Sequence, residues 1–241
     1  MIFPRRILLL CALVSILALT GCSGGNGIAE GDGPAFENVE PDAITLGVLS
    51  GGEALPLFVA EHNDLFAAAG VEARIVRFDT AEERDAALTS GEIDAFVGGI
   101  ASAVALEAAG TRVAMVSVVA EPALSVESTS TDPAAFGLGD ASAYLVISDH
   151  YLALPSGLLA TRAALEALDA AVVRIQGDPE AYQVMLAEAA GRNDVVVAGE
   201  AYPASAGPGV AEVERQLLEI AAAQPGATAL AVDDLVLDIR R

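Results

Sequence analysis

From residue 42 to residue 241 the chain predicts an α/β fold, a mostly parallel sheet flanked by helices. Three observations carry that prediction. Short apolar runs alternate with helical spacings between Ala43 and Val119, in the order strand, helix, strand, helix, strand, helix, strand. With short connections, that order sets the strands parallel and joins them by right-handed crossovers. The runs are nearly all apolar, as in a sheet covered on both faces. Hydrophobic residues make up 54% of the chain, enough to build a core without disulfides.

Each element has its own signal. Ala43 to Ser50 (A-I-T-L-G-V-L-S) is a strand that runs into a tight loop, Ser50-Gly51-Gly52. Leu55, Phe58, Val59, Leu65 and Phe66 repeat at helical spacing as far as Ala69, and Gly70 stands where a helix stop favours a left-handed residue. Val71 to Phe78 is β-branched and alternating, hence a strand. Thr80 and Glu83 form a T-x-x-E capping box that opens a helix to Leu88, closed by Ser90-Gly91. Ile93 to Val97 is a strand ending in Gly98-Gly99. Ala101 to Ala109 is helical, Gly110 stops it, and Arg112 to Val119 is a fourth strand.

The alternation then breaks. Ala120 to Ser142 holds Pro, Gly, Ser, Thr and acidic residues and reads as loop. Ala143 to Ser148 is a further buried strand. A long helix follows from Ser156 to Gln176, with Leu158, Leu165, Leu168, Val172 and Ile175 on one side. Asp178-Pro179 supplies an N-cap and a first-turn proline for a helix that Gly191 ends after Ala190. Asn193 to Pro208 is irregular, with room for a short strand at Val195 to Ala198. Val210 to Ala223 is a last helix, followed by a short tail.

Ahead of this domain, Arg5 and Arg6 precede an apolar run, Ile7 to Leu19, and small residues then lead into Cys22. Charged, then apolar, then small is the order of a secretory signal, and the run is shorter than the ~20 residues of a membrane span. Leu19-Thr20-Gly21-Cys22 resembles the lipobox of bacterial lipoproteins. The resemblance implies that residues 1–21 are removed and that Cys22 carries a lipid. That would hold the protein outside the cytoplasm on the cell membrane, or on an outer membrane where the organism has one. Residues 22–41 then form a lipidated flexible tether rich in Gly, Asn, Glu and Pro. The chain's other cysteine, Cys11, leaves with the signal. No thiol then remains for a disulfide, a metal or a nucleophile.

Charge narrows the partners. The formal net charge is −22, and the sequence contains no lysine. Nucleic acid, whose binding needs a basic patch, is excluded as a partner. Attraction to anionic lipid is equally disfavoured, so membrane attachment falls to the lipid on Cys22.

Several segments together resemble a family. V-L-S-G-G, L-F-V-A-E-H-N-D-L-F-A-A-A-G-V and S-G-E-I-D-A, then Y-L-V-I-S-D, the long helix, D-P-E-A-Y and the tail V-D-D-L-V, are similar to type II solute-binding proteins of ABC importers. The branch is the one serving sulfonates, nitrate and pyrimidine precursors. The resemblance implies one lobe of a periplasmic-binding-protein-like II fold, a small-molecule solute and an ABC permease as partner. In that family a second lobe is inserted between the fourth strand and the returning strand. Here only residues 120–142 fill the interval, too few for a domain of at least ~50 residues. The second lobe is therefore expected to be largely missing, with 120–142 as a linker in its place.

Ligands of a parallel sheet collect at the carboxyl ends of its strands. Three loops stand there: Ser50-Gly51-Gly52, Asp79-Thr80, and Gly98-Gly99 through Ser102. Glycines let backbone N–H groups approach a ligand, and the helix starts that follow favour anions. Ser50, Gly51, Gly52, Thr80, Gly98, Gly99 and Ser102 are the candidate ligand-binding residues. The glycines and Thr80 also have a purely structural role to play, Thr80 as a cap and the glycines as turns. Glu53, beside the first loop, would either meet an amine on a ligand or sit solvated in a helix's first turn.

Catalytic constellations are absent from the sequence. It has no G-x-S-x-G elbow, no H-E-x-x-H and no P-loop. His62 and His150 are isolated, which argues against zinc. Ser148, Asp149 and His150 adjoin in sequence and cannot converge on one oxygen as a triad, whereas Ser148 or Asp149 suits a helix cap. The expected function is a non-enzymatic, lipid-anchored solute-binding component of an ABC-type importer, needing no cofactor and no metal. The competing expectation is an interaction lipoprotein that keeps the lobe as a scaffold and binds no solute; an extracytoplasmic enzyme is the remotest of the three.

Overall fold

The structure, a computed structural model, describes residues 39–121, 142–204, 207, 209–223 and 230–239. The signal, Cys22 and most of the 120–142 stretch lie outside the described residues.

Four strands fall where the apolar runs predict them: β1 (Ile44–Val48), β2 (Ala73–Arg77), β3 (Ala95–Gly98) and β4 (Val113–Ala120). A fifth, β5, spans Ala143–Ser148. They form a five-stranded sheet in the order β2-β1-β3-β5-β4. β1 is parallel to β2 and β3, while β5 is antiparallel to both of its neighbours, β3 and β4. The sheet is thus mixed. β5 inserts between β3 and β4 and pairs its first residue, Ala143, with the last of β4, Ala120. Periodicity could not reveal this, because a strand covered on both faces reads as a continuous apolar run in either direction.

Helices cover both faces. On one face lie α1 (Leu55–His62), α2 (Leu65–Ala68), α6 (Pro155–Gly177) and α7 (Gln183–Ala190). They enclose Ile44, Leu46, Val48, Val97, Leu145 and Ile147 from the sheet. On the other lie α3 (Ala81–Ser90), α4 (Ile100–Ala108) and α8 (Val210–Ala223), over Phe96, Met115, Val118, Tyr144 and Val146. Successive strand residues therefore supply two separate cores, which is the period-two geometry of a pleated strand.

Several boundaries differ from the sequence reading. The helix predicted through Ala69 divides into α1 and α2, because Asp64 takes a left-handed conformation (φ 55) between them. Asx residues tolerate that region better than other L-residues. The predicted stop at Gly70 holds, with φ 83, as does the one at Gly191, with φ 65. Asp178-Pro179 opens a short 3₁₀ turn, Pro179–Tyr182, before α7 begins at Gln183. No strand forms at Val195 to Ala198; Gln183 instead ties that stretch down, its Nε2 donating to the Val195 carbonyl and its Oε1 accepting from Val197 N–H. Two short helices are additions: α5 (Asp149–Leu152), and α9 (Val232–Leu235) within the predicted tail. Beyond α9, Val236 bridges Met115 and Leu237 N–H donates to the Met115 carbonyl at 3.1 Å. That contact pairs part of the outer edge of β4, which would otherwise stand open. Among the described residues no helix is long and apolar enough to cross a membrane.

Candidate functional site

The three loops at the carboxyl ends of β1, β2 and β3 carry the predicted residues, and the structure gives each a different setting. In the first, Ser50 is exposed and Gly51 and Gly52 are buried. Their backbone groups are already engaged. Gly51 N–H donates to the Ala189 carbonyl at the end of α7, at 3.0 Å. The Tyr202 hydroxyl donates to the Gly52 carbonyl at 2.9 Å. Tyr202 is buried and follows a 3₁₀ turn, Gly199–Ala201, whose last carbonyl accepts from Glu121 N–H at 2.8 Å. The segment from α7 to Tyr202 therefore packs over the end of β1.

Glu53 belongs to the same loop. A Cβ on Gly51 would collide with the Glu53 carboxylate, so this side chain folds back across the loop. Burial pushes the Glu53 carboxyl above its usual range, partly offset by its own backbone N–H and the Arg84 charge. Burial likewise raises the Tyr202 phenol, and the Glu53 charge adds to that shift.

In the second loop Thr80 is exposed and acts as a helix cap. Its Oγ1 accepts from Glu83 N–H at 3.2 Å at the start of α3.

The third loop has the most distinctive chemistry. Gly98 ends β3, Gly99 is the extended N-cap, and α4 begins at Ile100 without a side-chain cap and without an acidic residue in its first turn. Among the described residues no side chain caps the positive end of α4, where Ser102 N–H donates to the Gly99 carbonyl at 3.2 Å. Ser102, in that first turn, accepts from Arg84 Nη2 at 2.7 Å.

Arg84 is the residue that the sequence reading missed. It projects from α3 and is 2% exposed. Nη1 donates to the Val97 carbonyl at 3.1 Å, and Nη2 reaches Asp85 Oδ1 at 2.8 Å as well as Ser102. Nε also donates to Asp85 Oδ1, at 3.0 Å, and the guanidinium lies 4.1 Å from the centroid of the Phe96 ring. A Cβ on Gly98 would lie 2.7 Å from Arg84 Nη1, and one on Gly47 3.2 Å from Arg84 Cγ. A side chain at Gly98 would therefore displace the guanidinium or the Phe96 ring beneath it. A signal was available: Arg84 shares a helix face with buried Ala87 and Leu88, three and four residues on.

The catalytic alternatives fare as follows. Ser148 Oγ accepts from Tyr151 N–H at 3.3 Å and caps α5, the role expected of it. Asp149 pairs with Arg112 at 3.1 Å. His62 and His150 are exposed on separate helices. Two surface clefts lie away from the three loops. One, of about 830 Å³, is lined by Asp42, Asp94 and Arg112 at the opposite ends of the strands; the other, of about 480 Å³, lies between α8 and residues 230–233.

This mixed sheet with helices on both faces matches the fold of periplasmic binding proteins of known structure. Residues 37–125 match a family model described as the NMT1-like family. Among solved structures, the ligand-binding component of an ABC-type import system from Staphylococcus aureus, with zinc bound, superposes with a TM-score of 0.59 at 12% identity, covering 82% of this chain and 97% of that one. The periplasmic aliphatic sulphonate-binding protein SsuA from Escherichia coli gives 0.57 at 12% identity, over 81% and 97%. The alkanesulfonate-binding SsuA from Xanthomonas axonopodis pv. citri, bound to MOPS, gives 0.56 at 14%, over 80% and 97%. No curated protein matches the chain. The family resemblance read in the sequence thus extends to the fold.

Proposed function

We propose that this chain is the lipid-anchored, extracytoplasmic solute-binding component of an ABC-type importer, and that it presents a small organic or anionic solute to a membrane permease. Ser50, Gly51, Gly52, Thr80, Gly98, Gly99 and Ser102 are its proposed ligand-side residues, and Cys22 its site of lipidation. It is proposed to carry out no chemistry of its own. One observation carries the reading: the uncapped start of α4 follows Gly98-Gly99 at the end of β3, with the guanidinium of Arg84 held behind Ser102. A helix start without a side-chain cap, beside a buried arginine, suits a sulfonate, nitrate or carboxylate. The fold shared with solute-binding proteins, and the NMT1-like match over residues 37–125, support the same reading. The proposed protein has one lobe, with residues 120–142 in place of a second. In support, the described strands form one sheet, and β4 and β5 pair directly where that stretch leaves and rejoins it.

A second reading has its own observation. The segment from α7 to Tyr202 already binds the backbone of Gly51 and Gly52. That favours an interaction lipoprotein that has filled part of the former ligand surface and keeps the lobe as a scaffold.

Thermal-shift titration separates the two. A solute at 100 times its dissociation constant adds ~2.7 kcal/mol to stability. The transport reading expects at least one of alkanesulfonates, nitrate, thiamine precursors and amino-acid-like compounds to raise the melting temperature, with amide shifts at Gly99 to Ser102. No response to any of them leaves the scaffold reading. For the anchor, mass spectrometry of the mature N-terminus is expected to find a lipid-modified Cys22; an unmodified cysteine there removes it.

A further inference from the structure

The cleft between α8 and residues 230–233, with Val104 of α4 in its wall, lies outside the proposed solute site. We propose that it is a docking groove for a basic, amphipathic helix of another protein. Its volume is about 480 Å³, and its walls are the apolar side chains of Val104, Leu217, Leu218, Ile220 and Leu230. Leu218 is 68% exposed and Val210, at the groove's end, 54% exposed. α8 alternates apolar and charged residues as a helix with a buried face does, yet only Val213 and Gln216 among its described side chains are buried. Among the described residues, Leu217 and Ile220 are only partly covered by the core and Val210 and Leu218 stand exposed beside them.

Charge selects the occupant. Glu214 and Asp233 are the ionisable residues in the groove's lining, and both are acidic. The arginine of α8, Arg215, is engaged by Glu212 and Glu219. An acidic rim around an apolar trough complements a helix with leucine-like side chains on one face and lysine or arginine at its flanks. A second copy of this chain fits poorly, because a two-fold contact through the groove would bring together two linings whose ionisable residues are all acidic. An anionic membrane surface is repelled by the same groups. The lining runs along α8 from Val210 to Ala221, ~17 Å at the helical rise, enough to face a helix of about three turns.

The test uses the purified chain at physiological salt and two fluorescent 14-residue Leu/Lys peptides. One is an amphipathic helix; the other has the same composition in scrambled order, so that non-specific attraction to an acidic protein is equal for both. The proposal expects saturable binding of the amphipathic peptide, at least tenfold tighter than the scrambled one. It also expects at least tenfold weakening by Leu218→Asp, with circular dichroism and melting temperature unchanged because Leu218 is exposed. If Leu218→Asp disturbs the fold, Val210→Asp serves the same purpose. Equal binding of the two peptides, or no effect of a folded groove variant, overturns the proposal. So does a dimer in light scattering that Leu218→Asp dissociates, since the occupant is then a second copy.

Discussion

Arg84 is the most informative residue to perturb, because it is buried, charged and central to the third loop. Arg84→Ala removes the hydrogen bonds to the Val97 carbonyl and Ser102 Oγ, and strips Asp85 of its partner. Breaking a buried ion pair by removing one member costs ~3–5 kcal/mol. Asp85 retains 20% of its side-chain exposure and is partly rehydrated, which puts the expected loss at the lower end, ~3 kcal/mol. For a domain of this size that corresponds to a melting temperature lower by ~6–12 °C. Urea denaturation followed by circular dichroism measures it. Arg84→Met keeps most of the volume and separates packing from charge. Combined with Asp85→Ala, it removes both charges, and the double variant is expected to lie closer to the parent than Arg84→Met alone. The reasoning fails if Arg84→Ala stays within ~0.5 kcal/mol of the parent, the size of an ordinary surface change. It also fails if the Arg84→Met and Asp85→Ala losses simply add.

Two further outcomes are expected. Tyr202→Phe removes the donor to the buried Gly52 carbonyl and should cost ~1–3 kcal/mol, with faster hydrogen exchange at the Gly51 amide; unchanged exchange would mean that the α7–Tyr202 segment does not hold the first loop. Glu53→Gln should alter the pH dependence of stability. Burial raises the Glu53 carboxyl above its ordinary 4.5, so the folded chain holds this proton more tightly than the unfolded one. Stability from that preference is present below the ordinary value and is lost as pH rises through the raised one. The glutamine variant escapes this loss, so its advantage over the parent should grow from acid to neutral pH in urea titrations. Parallel pH profiles would refute the assignment.

The site was only partly readable in advance. The Ser50, Thr80 and Gly98 loops do lie at the carboxyl ends of the strands, because strand–helix alternation fixes which loops share an end of the sheet. What each loop has left to offer a ligand was not readable. Thr80's hydroxyl oxygen accepts within its own helix, and the Gly51-Gly52 backbone meets Ala189 and Tyr202, over a hundred residues further along the chain. Such long-range contacts have no period and no local motif. Arg84 stands in the charged run Glu82-Glu83-Arg84-Asp85, and only the packed sheet reveals that Gly47 and Gly98 clear a seat for it.

By itself the sequence determined the layers. Apolar strands between helical segments, glycine stops and caps dictate an α/β sheet with two cores, because each element must bury its own apolar face. The direction of β5, the break at Asp64 and the pairing of Val236 against Met115 were decided only by the tertiary structure. These are choices among arrangements that bury the same residues equally well, and distant contacts, rather than local propensity, select between them.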